Sequence, residues 1–165
     1  MIERPNAGSS DGMKLSVRGK YALRALTVLG EHYGPGVVRI QAISDDQNIP
    51  KRFLEQILFD LKSAGVVESR RGVAGGYRLA MAPDKIPLAK VIRHLEGALA
   101  PIGCISQQFY EKCSCPDELK CPLRSIMKEV RDAIAGILES MTVADLVARA
   151  IRLRQSPDTP IDFVI

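Results

Sequence analysis

The sequence predicts a mainly helical chain, α+β in class, in which one small hairpin interrupts a series of helices and a long helix lies near the C-terminus. Three observations carry this. Apolar residues recur at helical spacing in several stretches bounded by Ser, Pro and Gly. One pair of short β-like runs flanks a glycine-rich segment, Gly72-Val73-Ala74-Gly75-Gly76. All four cysteines of the 165 residues, Cys104, Cys113, Cys115 and Cys121, fall in one polar window.

The elements follow in order. Residues 1–12 are rich in Gly, Ser, Asn and Pro and are expected to form a disordered leader. Ser16 is an N-cap for a helix over 17–33, ended by Gly34-Pro35-Gly36, with Tyr21, Ala22, Ala25, Leu26, Val28 and Leu29 on one face. A short helix is expected over 39–45, with Ile40 and Ile43 inward. Pro50 suits the first turn of a third helix, where its missing N–H has no partner to lose. That helix runs to about residue 64, with Phe53, Leu54, Ile57, Leu58 and Leu61 on its buried face and Gly65 past its end.

Two short helices joined by a tight turn have the dimensions of a helix-turn-helix. The runs 66–71 and 77–79 around the glycines then form a hairpin, so residues 13–83 make a winged helix-turn-helix. Pro87 opens another helix to about residue 96. The cysteine loop occupies 97–121, and Pro122 starts a long helix to about residue 140. On that helix Ile126, Val130, Ala133, Ile137 and Met141 are spaced 4-3-4-4, widened by Met127, Ile134 and Leu138. Little chain remains to cover such a stripe, which points to a second copy of the chain. A last helix over 143–151, capped by Thr142, completes a second segment, 84–151. Residues 152–165 are expected to be a flexible tail.

Composition excludes several classes. A chain of this length buries a real core without disulfide staples. The opening residues lack a secretory pattern, and no run approaches the roughly 20 apolar residues of a membrane span. A cytoplasmic protein without membrane contact is the expectation, and in a reducing compartment clustered thiols favour metal binding or redox sensing. No nucleophile triad, phosphate loop or paired-carboxylate pocket is suggested, so the chain is not expected to be an enzyme.

The charge is lopsided. Residues 13–83 hold eleven Lys or Arg against six acids, whereas residues 84–165 hold eleven of each. A basic N-terminal half suits a polyanion, because each neutralised phosphate releases counterions. Lys51, Arg52, Glu55 and Gln56 occupy non-core positions at the start of the third helix. Arg reads guanine, Gln pairs with adenine, and Glu accepts from cytosine. Arg70, Arg71 and Arg78 flank the hairpin, placed for phosphate or minor-groove contact.

Three segments resemble one family. They are Met13-Lys-Leu-Ser-Val-Arg-Gly-Lys-Tyr-Ala-Leu-Arg-Ala-Leu, Ile49-Pro-Lys-Arg-Phe-Leu-Glu-Gln-Ile-Leu and Arg71-Gly-Val-Ala-Gly-Gly-Tyr-Arg-Leu. In order and spacing they resemble the bacterial Rrf-two family, as do Val91-Ile-Arg-His-Leu-Glu-Gly, the cysteine loop and Met141-Thr-Val-Ala-Asp-Leu. The resemblance spans residues 13–147. It implies a homodimeric winged-helix transcription factor that binds a double-stranded DNA operator, read here as a repressor. It places the recognition Glu-Gln pair on Glu55 and Gln56, the wing arginine on Arg71, and the dimer contact on Ile126, Val130, Ala133, Ile134, Ile137 and Met141.

The resemblance also implies an iron–sulfur cluster, [2Fe-2S] or [4Fe-4S], on the loop from Cys104 to Cys121, sensing iron, redox or nitric oxide status. Members with a cluster use three cysteines and one other ligand. Some place a histidine three residues after the last cysteine, and others an acid in the first helix. Here those positions are Arg124 and Lys20, neither a ligand. Cys113 or Cys115 is therefore expected to replace the missing ligand. A zinc site, a metal-free thiol–disulfide switch and a partner-controlled regulator remain as alternatives, with an electron-carrier module behind them.

Overall fold

Each helix boundary is set by a local device. The computed structural model describes residues 15–156. Helix α1 (Val17–Glu31) opens where the Ser16 hydroxyl accepts from the Gly19 N–H at 3.0 Å, which satisfies an otherwise orphaned donor. Helix α2 (Ile40–Gln47) stops at Asn48, held in the left-handed region at φ 48°, a conformation that Asn tolerates. The Ser44 hydroxyl donates to the Ile49 carbonyl at 2.6 Å and fixes the turn. Pro50 precedes α3 (Lys51–Ser63), and Gly65 at φ 70° ends it.

The chain then forms an antiparallel hairpin of β1 (Val67–Arg70) and β2 (Gly76–Leu79), with Val67 opposite Leu79 and Arg70 opposite Gly76. Val38 adds a third short segment by exchanging two 2.8 Å backbone hydrogen bonds with Tyr77. At Gly76 a Cβ would run into the Val38 carbonyl, so only glycine lets these backbones meet. Helix α4 (Leu88–Glu96), a 3-10 turn at Gly103–Ile105, α5 (Pro122–Ser140) and α6 (Val143–Gln155) complete the order.

Helix α1 lies at the centre. Ala22, Ala25 and Leu26 are completely buried, among Leu54, Leu58 and Leu61 of α3, Val91 of α4 and Val143 of α6. Each large apolar side chain so buried contributes roughly 1.5–3 kcal/mol. Gly30 permits the close approach of α6: a Cβ there would sit 2.7 Å from a Val147 methyl. The core therefore joins α6 to the N-terminal helices, so the two expected segments pack around one core. Leu88 N–H to Met141 carbonyl at 2.9 Å and Val143 N–H to Ile86 carbonyl at 3.0 Å clamp the start of α4 to the α5–α6 corner.

Several expectations change. Phe53 is 47% exposed and not on the buried face of α3. Helix α6 runs four residues past Ile151, so residues 152–155 are helical. Met141, the last residue of the expected dimer stripe, is half-buried and packs together with Leu138 on the edge of the chain's own core. The expected leader at 1–12 and residues 157–165 of the expected tail lie outside the described residues.

Candidate metal site and nucleic-acid interface

Two of the four thiols, Cys115 and Cys121, are in direct contact, and the other two, Cys104 and Cys113, belong to a second close group. The 3-10 turn at Gly103–Ile105 buries Cys104 to 5% exposure. Two arginines from α5 hold that turn: Arg124 Nε donates to the Cys104 carbonyl at 3.3 Å, and Arg131 donates to the Ile105 carbonyl. The sulfurs of Cys104 and Cys113 lie within 4.8 Å of each other. Cys115 Sγ lies 3.6 Å from Cys121 Sγ. Cys121 is the N-cap of α5, its sulfur accepting from the Arg124 N–H at 3.4 Å.

This geometry separates the thiols electrostatically. Burial, then the Cys113 thiol, pushes Cys104 up. Cys115 is pushed up to about 12, first by the neighbouring Cys113 thiol and next by that of Cys121. Cys121 is lowered, first by the Arg124 backbone N–H and then by the Cys115 thiol, as a helix start does for an anion. Cys104 and Cys113 bring two thiolates and Glu118 a carboxylate oxygen within 4.8 Å of one another, with Cys121 at the start of α5, and soft thiolates suit iron–sulfur clusters. The donor set therefore fits the group that the family resemblance implies.

One site residue was missed in the sequence. A Glu118 carboxylate oxygen and the sulfurs of Cys104 and Cys113 all lie within 4.8 Å of one another. Tyr110 Oη donates to both Glu118 oxygens at 3.0 and 2.8 Å, which raises the Tyr110 hydroxyl's pKa. Arg124 Nε stands 3.6 Å from the same carboxylate. An acid three residues before Cys121 is a visible signal, obscured by the other acids of the window. His94 is exposed on α4, and the His32 ring bonds the Val28 carbonyl at 2.9 Å; Lys20 is exposed on α1.

The nucleic-acid face is built on α3. Leu54, Ile57, Leu58 and Leu61 are buried, which turns Lys51, Arg52, Glu55 and Gln56 to solvent together. The Arg52 guanidinium rests 4.8 Å above the Phe53 ring, which explains why this ring is outside. Arg18 of α1 pairs with Asp60 of α3, and Lys62 Nζ donates to Ser69 Oγ at 2.7 Å, tying α3 to its neighbours. In the hairpin Arg70 and Arg71 are exposed. Arg78 is engaged: it pairs with Glu68 and donates to the Pro35 carbonyl at 3.2 Å. At the tip, Val73 is 98% exposed.

Helix α5 buries none of its residues. Ile126 and Ile137 are 58% and 59% exposed, Ala133 is exposed, and Val130 and Ile134 are half-buried. Leu123, one turn before Ile126, is 54% exposed and extends the apolar line toward the cysteine loop.

A helix-turn-helix, a basic two-stranded wing and a solvent-facing α3 define a winged-helix DNA-binding regulator. Residues 15–149 match the Rrf2 family model, described as an iron-dependent transcriptional regulator. The chain is 39% identical over 133 residues to an Rrf2-like helix-turn-helix transcriptional regulator of Rhodobacter capsulatus, covering 78% of this chain and 89% of that one. Among solved structures it is similar to CymR, the global cysteine regulator of Bacillus subtilis, at TM-score 0.70 and 32% identity, covering 82% and 97% of the two chains. It is also similar to IscR of T. potens, at TM-score 0.69 and 30% identity, covering 88% and 93%. The chain belongs to the Rrf2 family. It is a transcriptional regulator and not an enzyme. Regulators of this family bind DNA and are typically dimeric. No helix among the described residues is long and apolar enough to cross a membrane.

Proposed function

We propose that this protein is a cytoplasmic homodimeric repressor whose operator binding is controlled by an iron–sulfur cluster held on the Cys104–Cys121 loop. The observation that carries the proposal is the gathering of the Cys104 and Cys113 sulfurs within 4.8 Å, on a loop that ends at Cys121, the N-cap of α5. When bound, the cluster supplies a centre that responds to iron supply, oxidation or nitric oxide.

The chain's own residues do the rest. Lys51 and Arg52 approach phosphate and guanine, while Glu55 and Gln56 meet base edges in the major groove. Arg70 and Arg71 carry the wing to the neighbouring backbone, and Arg78, paired with Glu68, positions it. Ile126, Val130, Ala133, Ile134 and Ile137 meet their counterparts in a second copy. The Cys104 turn hangs on Arg124 and Arg131 of α5, so a change in the loop alters the start of the dimer helix. That shifts the balance between arrangements of the two reading heads.

A second reading is favoured by the 3.6 Å Cys115–Cys121 approach, a distance from which a disulfide closes with little movement. Anaerobic purification with iron, sulfide and native-mass measurement separates the two. The proposal expects a coloured, iron- and sulfide-bearing dimer whose operator affinity differs between holo and apo forms at matched salt. Colourless zinc-loaded protein, or equal affinity of the two forms, refutes it. Metal-free protein with an operator affinity that follows Cys115–Cys121 oxidation supports the thiol switch.

A further inference from the structure

The loop offers five donors where an iron–sulfur cluster of this kind takes four protein ligands: four thiols and the Glu118 carboxylate. We propose that Glu118 is a ligand of the loop's iron–sulfur site, completing a set with Cys104, Cys113 and Cys121, and that Cys115 is not a ligand. The inference rests on the cluster reading above and fixes its coordination.

Glu118 is built into the site. Its oxygen shares a 4.8 Å neighbourhood with the sulfurs of Cys104 and Cys113. Its side chain is 24% exposed, while the adjacent Leu119 is 88% exposed. The Asp117 carboxylate directs this turn by accepting from the Leu119 N–H at 3.0 Å and the Lys120 N–H at 3.3 Å, which sends residue 118 inward and residue 119 outward. Tyr110 and Arg124 then orient the carboxylate from behind, as the outer partners of ligating carboxylates do.

The thiols differ in how they are held. Cys104 is buried, with its carbonyl fixed by Arg124, and Cys121 is fixed as the cap of α5. Cys113 belongs to the compact triad. Cys115 lies outside that triad, its sulfur 3.6 Å from that of Cys121. One residue separates Cys113 from Cys115, tighter than the two to four of common paired-cysteine metal motifs. An oxygen ligand also binds soft iron–sulfide centres less firmly than a thiolate does. Arg124 stands ready to pair with the carboxylate whenever it leaves, so Glu118 is the ligand at which the site opens.

The test uses the full chain, reconstituted anaerobically with ferrous iron and sulfide, as wild type, Glu118→Gln and Cys115→Ser. Iron and sulfide content, electron paramagnetic resonance of the reduced cluster and the rate of iron loss to a chelator are read for each. The expected result is wild-type content and spectrum for C115S. For E118Q the expected result is a shifted resonance with iron loss at least about tenfold faster, or failure to hold the cluster. Wild-type behaviour of E118Q, or loss of the cluster from C115S, overturns the ligand set while leaving the cluster reading intact. A wild-type chain that assembles no cluster overturns that reading and the inference with it. Independently of either variant, pulsed resonance on loaded wild type labelled with 13C-glutamate should show a carboxylate carbon coupled to the cluster. A loaded cluster without that coupling also overturns the proposal.

Discussion

Replacing Ile126 by Glu should separate dimerisation from folding. The Ile126 side chain stands 58% exposed on a helix none of whose residues is fully buried. Full burial of such a side chain contributes roughly 1.5–3 kcal/mol, so covering its exposed half contributes about 1–1.5 kcal/mol. A two-fold interface contains the position twice, which makes its removal cost about 2–3 kcal/mol per dimer. At about 1.4 kcal/mol per tenfold, the dimer Kd weakens about a hundredfold. A carboxylate buried against its own symmetry mate weakens it further. The isolated chain loses only the part of that side chain it covers itself, and its stability should fall by no more than about 1 kcal/mol. Sedimentation equilibrium across micromolar concentrations reads the first quantity and urea unfolding of the monomeric variant the second. A dimer of unchanged Kd would refute the assignment of this face. Collapse of the chain's own stability would show that Ile126 belongs to its core.

Other perturbations follow from the same geometry. Thr142→Ala removes the hydroxyl half of the capping box on α6 and should cost about 1 kcal/mol, lowering Tm by roughly 2–4 °C. The Asp145 carboxyl is held below its ordinary value by the Thr142 backbone N–H and then its hydroxyl. Its contribution is therefore in place above the usual carboxylate range and is lost as pH falls through the depressed value; Asp145→Asn should flatten that acid limb in pH-dependent melts. Leu58→Ala, at a fully buried position of α3, should cost about 2–5 kcal/mol by urea titration, a large share of the roughly 5–15 kcal/mol typical of a domain. In gel shifts, Lys51→Ala should weaken binding evenly across sequences and reduce the salt slope by about one, whereas Gln56→Ala should relax preference at one base by about 1–3 kcal/mol. Identical salt and sequence responses of the two variants would remove the distinction between phosphate and base contact.

Local patterns made much of this chain legible before any coordinate. Ser16, Gly65 and Pro122 mark helix ends through hydrogen-bonding capacity and backbone freedom, which each residue carries with it. The periodicity of Leu54, Ile57, Leu58 and Leu61 likewise decides which side of α3 faces inward, and so which side is free for a ligand. The same periodicity misplaces Phe53, because a ring can be covered by a neighbouring guanidinium as well as by a core. It does not tell that Met141, at the end of the α5 stripe, packs against the chain's own core.

By itself the sequence determined the helices, the hairpin, the basic face of α3 and the thiol window, since spacing, caps and charge are properties of neighbouring residues. Tertiary structure alone decided that α6 docks on α1 at Gly30, that Val38 joins the wing and that Glu68 engages Arg78. It also decided that Glu118 turns in among the cysteines while Leu119 turns out. The physical reason is the same in each case. A residue's own chemistry sets what it can do, but the close approach of distant backbones sets which donor, acceptor or methyl group is within reach.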